Sequence, residues 1–417
     1  MIDLKRLRSE PEYRRGVERK RVRAGLIDEV LAAFEAETTL RQQTEAQRAE
    51  QNKASKEIGK AAPDERQAKI ERAAEMKAEL QANEDALAAA EASLRSLALQ
   101  VPNPAAADVP DGGEDDGVPI KTVGAETPAP PLDHAAFAEA IGFVDTVRAA
   151  EASGSRFAYI MREAALLELA LASYAMRTVV EHGFIPVVTP TLVRERTMEE
   201  AGFFPTDRAQ VYDVDEGQLF LVGTSEVPLS ALHRGDSFTP DALPARYAGY
   251  SSCFRREAGT YGKDTRGIFR VHQFDKVEMF SFCSADESLA EHERILAIEE
   301  QIIGGLGLPY RVMNIAAGDL GPAAAKKLDI EVWLPSEGQY RELTSCSNYT
   351  DYSARRLGAR EKGANGSQLV HTLNGTACAI SRTLVFLFEH YQAADGGFAV
   401  PDALRPFMGI ERVAPRK

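Results

Sequence analysis

Cysteine is scarce in this sequence: 417 residues hold four, Cys253, Cys283, Cys346 and Cys378, far apart and without a C-x-x-C pair. That excludes a disulfide framework and a zinc knuckle and leaves reduced thiols as the expectation. No stretch approaches the roughly 20 apolar residues of a membrane span. The start MIDLKRLRSEPEYRRGVERK has no apolar run behind its charges, so a soluble, cytoplasmic, non-exported protein is expected. The histidines show no H-E-x-x-H pairing, and GGLGLPY at 304–310 lacks the G-x-G-x-x-G spacing; it reads as a helix end followed by a strand. Cations are the minority charge, 49 Lys and Arg against 63 Asp and Glu for a net charge of -14. Non-specific coating of nucleic acid is therefore disfavoured, although net charge is silent about local patches.

Glycine and proline are nearly missing from Leu26 to Gln100, where only Gly59 and Pro63 occur among Ala, Glu, Gln, Arg and Lys. This is long-helix composition. Ala73, Met76, Leu80, Asn83, Leu87, Ala90, Leu94 and Leu97 follow steps of three and four, the seam of a coiled coil, with Asn83 as a polar register-setting member. GKAAPDER at 59–66 supplies a stop, a proline and Asp64 as an N-cap, so the chain is expected to double back as an antiparallel hairpin. A helix from Ile27 to Lys60 would reach about 50 Å. Its far half, with Arg41, Arg48, Gln51, Asn52, Lys53 and Lys56, reads as a basic arm exposed to something large. The basic run over residues 5–23 reads as a solvated helix face.

The chain is too long for one ordinary core. Residues 1–100 are expected to form the helical domain. The Pro, Gly and Asp-rich stretch 101–133 reads as a linker, and 134–417 as a second domain. There, successive strand-like runs such as FIPVVTPTLV, QLFLVGTSEV, YAGYSSCF and KVEMFSFC predict an antiparallel sheet with flanking helices, hence an α+β fold overall.

Cations concentrate between Cys253 and Phe280, which read as strand, charged loop and strand. Side chains alternate faces on a strand. Arg255 and Glu257 then share a face, and Arg270, His272 and Phe274 can share one on the partner strand, with Glu278 beyond. Arginines fit phosphate oxygens bidentately and an aromatic face stacks a purine, which suits a nucleoside triphosphate. A surface salt-bridge ladder is the alternative.

Phe254, Arg255, Arg256 and Glu257 resemble the F-R-x-E of motif 2 in class II aminoacyl-tRNA synthetases. Pro190 in GFIPVVTPTLV resembles motif 1, Thr224, Ser225 and Glu226 the amino-acid loop, and NGTACAISRTLVFLFEHYQ at 374–392 motif 3 with Arg382. Together with the helical hairpin, QNKASKEIGK, TSEVPLSALHR, VHQFDKVEM and VPDALRPFMG, these make nearly the whole chain similar to the bacterial seryl-tRNA synthetases. Thr376 stands where Ser is frequent and keeps the hydroxyl.

The resemblance implies activation of L-serine by ATP with Mg²⁺ and transfer to tRNA(Ser), with tRNA(Sec) a further candidate acceptor, by a cytoplasmic homodimer. It implies that Arg255 bridges the α-phosphate and the serine carboxylate, that Arg270 meets the outer phosphates, and that Phe274 and Arg382 sandwich adenine while Glu257 accepts from its amine. Arg256, Val271, His272, Gln273, Leu343 and Thr344 join the implied ATP site, and Glu342 and Ser345 the implied metal pair. Thr224 and Glu226 are implied to hold the ammonium group, with Glu278 and Thr376 on the serine hydroxyl and Ser225 a further member of the implied serine site. A site built around a hydroxyl rejects the analogue lacking it because its own polar groups go unpaired. Two other readings stay open on sequence: a ligase loading a carrier protein, and a catalytically silent coiled-coil module.

Overall fold

The computed structural model describes residues 2–259, 262, 264–363 and 366–416, and the chain divides into two compact units, Ile2–Pro102 and the remainder from Asn103. In the first, two short helices, Leu4–Ser9 and Pro11–Glu18, precede α1 (Leu26–Ile58) and α2 (Pro63–Ala98). These two long helices lie against each other as the expected hairpin. Every seam position on α2 from Ala73 to Leu97 is buried or half-buried, while its neighbours are mostly exposed. Asn83 Nδ2 donates to Gln47 Oε1 of α1 at 2.6 Å, a cross-helix bond that fixes register.

Asp64 is not the cap of α2. The N-cap is Ala62, and Pro63 opens the helix with Asp64 in its first turn, because proline at the first helical position needs no N–H partner. Half of the expected basic arm is also internal bracing: Arg41 pairs with Glu91 and Arg48 with Glu84, both at 2.7 Å across the hairpin. Lys53 and Lys56 remain exposed. In the early basic run, Arg6, Arg14 and Arg23 pair with Glu10, Glu18, Asp28 and Glu29, as on the solvated face expected, whereas Lys20 is partly buried and burial pushes its pKa down to about 7.

The larger unit is organised by one sheet of eight strands: β1 (Val118–Val123), β2 (Ile185–Val188), β3 (Ala245–Phe254), β4 (Gln273–Cys283), β5 (Tyr310–Asn314), β6 (Lys326–Leu334), β7 (Gln339–Asn348) and β8 (His371–Ala379). Their spatial order is β1-β5-β6-β7-β8-β4-β3-β2, and every pairing is antiparallel except β2 with β3. Helices α3 (Glu163–Glu181), α4 (Ser288–Gly305) and α5 (Ile380–His390) pack on it. Gly307, at φ 69°, follows α4 before β5 begins, so GGLGLPY is a helix end and strand start.

The stretch 101–133 is more than a tether. Asn103 Nδ2 donates to the carbonyls of Ala323 and Tyr349 at 2.9 and 2.7 Å, and β1 forms the edge of the sheet beside β5. Its composition concealed this because five of the six residues of β1 are exposed, so no hydrophobic alternation marks the strand.

Candidate active site

The centre of the sheet forms the floor of a cleft of about 270 Å³. Two β-bulges decide what faces it. Glu342 and Ser345 are three apart on β7, so regular alternation would send them to opposite faces. The register shifts between Ile330 and Glu331: Thr344 pairs with Ile330 and Glu342 with Glu331, leaving Leu343 extra. A bulge of this kind re-aims side chains, and both Glu342 and Ser345 open into the cleft. On β8 a second shift lies between Thr376 and Cys378, just beyond Asn374 and Thr376, which share the cleft face.

One end of the cleft is cationic. Arg255 leaves the end of β3 with its guanidinium carbon 5.2 Å from the Phe274 ring centre. Its main-chain N–H bonds to the His272 carbonyl at 2.9 Å, holding the returning chain alongside. Arg270 pairs with Glu257 at 2.6 Å and with Asp264 at 3.3 Å; burial opposes its charge, but these two carboxylates outweigh that and raise its pKa. Arg382, on α5, lies 5.3 Å from the Phe269 ring centre and 3.7 Å from Glu342. The Glu342 side chain is 48% exposed, and the desolvation it does meet is outweighed by Arg382, Lys327, Arg255 and Arg270, which hold its carboxyl below the usual range. Lys327, paired with Asp329 at 3.1 Å, adds a further positive charge to the lining.

The other end is a buried hydrogen-bonded cluster. Asn374 Nδ2 donates to Glu226 Oε2 at 3.2 Å and Glu278 Oε1 at 2.9 Å, and Thr376 Oγ1 donates to Glu278 Oε2 at 3.2 Å. Lys276 pairs with Glu278. Glu278 is fully buried beneath this floor and Glu226 is 4% exposed. Burial, then the nearby Glu278, pushes the Glu226 carboxyl up to about 7, against the Tyr349 hydroxyl, Lys276 and Arg255. Such a site has carboxylates for an ammonium group and a donor and acceptor for a hydroxyl, a short distance from cations suited to phosphates.

The structure therefore brings Thr224, Glu226, Arg255, Glu257, Arg270, Val271, Phe274, Glu342, Leu343, Ser345, Thr376 and Arg382 to one cleft, with Glu278 bonded to its floor. Besides Glu278, five expected residues do not line it. Ser225 Oγ donates to the Gly249 carbonyl at 3.0 Å, and Arg256 lies over Tyr212. His272 sits between Phe157 and Tyr212, its Nδ1 2.9 Å from the Arg255 carbonyl. Gln273 is exposed, and Thr344 turns to the helix side, donating to Glu299 at 2.9 Å. Phe269, Lys276, Lys327, Tyr349 and Asn374 line the cleft without having been singled out. Lys276 alternates with Phe274 and Glu278, and Asn374 with Thr376, so period-two reading could have found these two; Lys327 and Tyr349 carry no such signal.

Among the described residues no group of three or more His, Cys, Asp or Glu could hold a metal ion by itself, and no helix is long and apolar enough to cross a membrane. Residues 209–391 match the class II tRNA synthetase core domain of the G, H, P, S and T enzymes, and residues 1–105 the seryl-tRNA synthetase N-terminal domain. The chain is 46% identical over 422 residues to a serine–tRNA ligase of Acidothermus cellulolyticus, covering all of both chains. It is 46% identical to serine–tRNA ligase 1 of Streptomyces avermitilis, covering 98% of each. The crystal structure of a seryl-tRNA synthetase from Pyrococcus horikoshii complexed with ATP superposes with a TM-score of 0.92 at 34% identity, over 100% of both chains.

Proposed function

The chain belongs to the seryl-tRNA synthetases, and on that premise we propose how its cleft activates L-serine with ATP and charges tRNA(Ser). The carrying observation is the adjacency of Arg255, Arg270, Arg382 and Lys327 to the buried cluster of Glu226, Glu278, Asn374 and Thr376. The serine carboxylate oxygen attacks the α-phosphorus, the bond to the β-phosphate oxygen breaks, and pyrophosphate leaves; the terminal ribose hydroxyl of tRNA then takes the acyl group and AMP departs. Preorganised cations supply most of what such transfers need. Arg255, whose charge acts on both Glu226 and Glu342, holds the serine carboxylate and the α-phosphate together. Arg270 meets the outer phosphates by exchanging its carboxylate partners for them. Phe274 and Arg382 hold adenine, and Glu257 accepts from its amine.

Glu226 and Thr224 take the ammonium group, and Glu278 with Thr376 the side-chain hydroxyl. The bulge at Leu343 puts two hard oxygen donors, Glu342 and Ser345, on the cleft face, and the first is kept ionised. That set fits Mg²⁺, which takes one or two carboxylates and completes its shell with phosphate and water rather than an all-protein cage. The bound ion would neutralise phosphate charge.

The N-terminal unit serves as the tRNA arm, gripping phosphates and shape, with exposed Lys53 and Lys56 towards its tip. Leu166 and Leu169 on α3 and Ile185 and Val188 on the edge strand β2 are 52, 60, 55 and 85% exposed. An apolar set of this kind calls for cover, supporting a two-fold homodimer through this edge that works in the cytoplasm. The test is serine-dependent exchange of pyrophosphate into ATP, followed by charging of tRNA(Ser) and, in parallel, tRNA(Sec), with wild type and Arg255→Ala. Absence of serine-dependent exchange in the wild type would overturn the reading.

A further inference from the structure

Glu299, on α4, lies under the floor of the cleft and takes no part in the chemistry described above. It is fully buried and makes no ion pair among the described residues. Its Oε2 accepts from Thr344 Oγ1 at 2.9 Å; its Oε1 meets no side-chain donor, and the Thr376 main-chain N–H also acts on the carboxyl. That second oxygen points at β8, where a Cβ on Gly375 would come within 2.7 Å of it. One carboxyl thus spans two strands. On β7 it holds Thr344, next to Ser345; on β8 it abuts Gly375, between Asn374 and Thr376.

Two further bonds sew the same face of α4 to β7: Asn348 Nδ2 donates to Ser288 Oγ at 2.7 Å, and His292 Nε2 lies 3.1 Å from the Cys346 carbonyl. Positions 288, 292 and 299 fall on one side of a 3.6-residue helix. Both bulges occur where these strands pass over α4. Bulged strands lack ladder bonds at the extra residue, so something beneath must fix where the side chains on the upper face stand.

We propose that Glu299 is a positioning residue for serine activation: from beneath the sheet it sets the ATP-side strand β7 against the serine-side strand β8. The proposal rests on assigning the cleft to serine activation. Burial pushes the Glu299 carboxyl well above the usual carboxylate range; the Thr344 hydroxyl works against this, and Glu278 and Asp329 add to it. Glutamine is its isosteric, uncharged substitute.

The experiment measures steady-state pyrophosphate exchange, with serine and ATP varied separately, and the melting temperature, for the full-length wild type, Glu299→Gln and Glu299→Ala. A shift near 1 Å between reacting groups costs on the order of 10²-fold in rate. Glu299→Ala is therefore expected to lose about that much kcat while both KM values stay within about threefold. Glu299→Gln should restore kcat to within about threefold of wild type. A lowered melting temperature with kcat retained in Glu299→Ala, or a Gln variant as slow as the Ala variant, would overturn the proposal. If Glu299→Ala does not fold, Thr344→Val decides: a tenfold or larger fall in kcat supports the clamp and an unchanged kcat refutes it. A wild type without serine-dependent exchange would instead remove the underlying assignment.

Discussion

The hairpin and the cleft use the same charged residue types to opposite ends. Between α1 and α2, Arg41 and Glu91 meet at 2.7 Å with side chains 48 and 47% exposed. In the cleft Glu278 has no exposure at all and Glu226 has 4%. Exposed pairs gain little because water screens the attraction and two long side chains must be ordered. Removing one partner of a buried set strands a charge away from water. The hairpin thus keeps its paired charges in water while Glu226 and Glu278 are desolvated in the cleft, and substitutions in the two regions should differ in size and in kind.

The largest expected effect is Arg255→Ala. Loss of one preorganised cation at a developing charge costs about 10²–10³ in rate, and kcat/KM for pyrophosphate exchange should fall by at least that with the melting temperature nearly unchanged. Next is the pH dependence of serine binding. Burial and the nearby Glu278 raise the Glu226 carboxyl to about 7, against an ordinary value of 4.5, and in the proposed role it must lose its proton to pair with the ammonium group. Serine KM should therefore rise about tenfold per pH unit below 7 and be flat above it. Glu226→Gln should bind serine more weakly and lose this dependence. The same shift means that Glu226 withdraws stability from the unliganded fold as pH rises from about 4.5 through 7.

Gly375→Ala tests the packing under the cleft. An added methyl would press into Ile295 and Glu299, and overpacking a core costs about 1–3 kcal/mol, readable as a lower denaturation midpoint. The smallest effect belongs to the hairpin: Arg48→Ala removes the 2.7 Å pair with Glu84 and should change stability by less than about 1 kcal/mol. A hairpin pair worth as much as a cleft residue would break the contrast between the two regions.

The hairpin was legible because one periodicity governs it: positions Ala73 to Leu97 could be assigned to a seam from spacing alone. Only local details failed, as where Pro63 displaced Asp64 from the cap. The antiparallel sheet was legible from successive apolar runs, but strand β1 was not, since an exposed edge has no alternation to read. In the cleft, alternation correctly put Phe274 and Glu278 on one face. The strands end at Phe254 and begin again at Gln273, so it did not govern Arg255 or Arg270, and His272 turns away from the cleft to pack on Phe157 and Tyr212. Nor could alternation place Glu342 with Ser345, because an extra residue at Leu343 changes the parity and nothing in RELTSCSN announces a bulge. Glu299 is one of many glutamates in an amphipathic-looking helix, and its role depends on a neighbour 45 residues away.

The most direct test of this division of labour is a parallel measurement on full-length wild type and the double variant Lys53→Glu with Lys56→Glu: pyrophosphate exchange with serine, and serine charging of tRNA(Ser) across a range of salt. Exchange should be unchanged while charging falls and its salt dependence weakens, because two phosphate contacts are lost from the arm. Equal loss of exchange and charging, or charging that survives intact, would contradict the assignment of the arm to tRNA and of the cleft to serine activation.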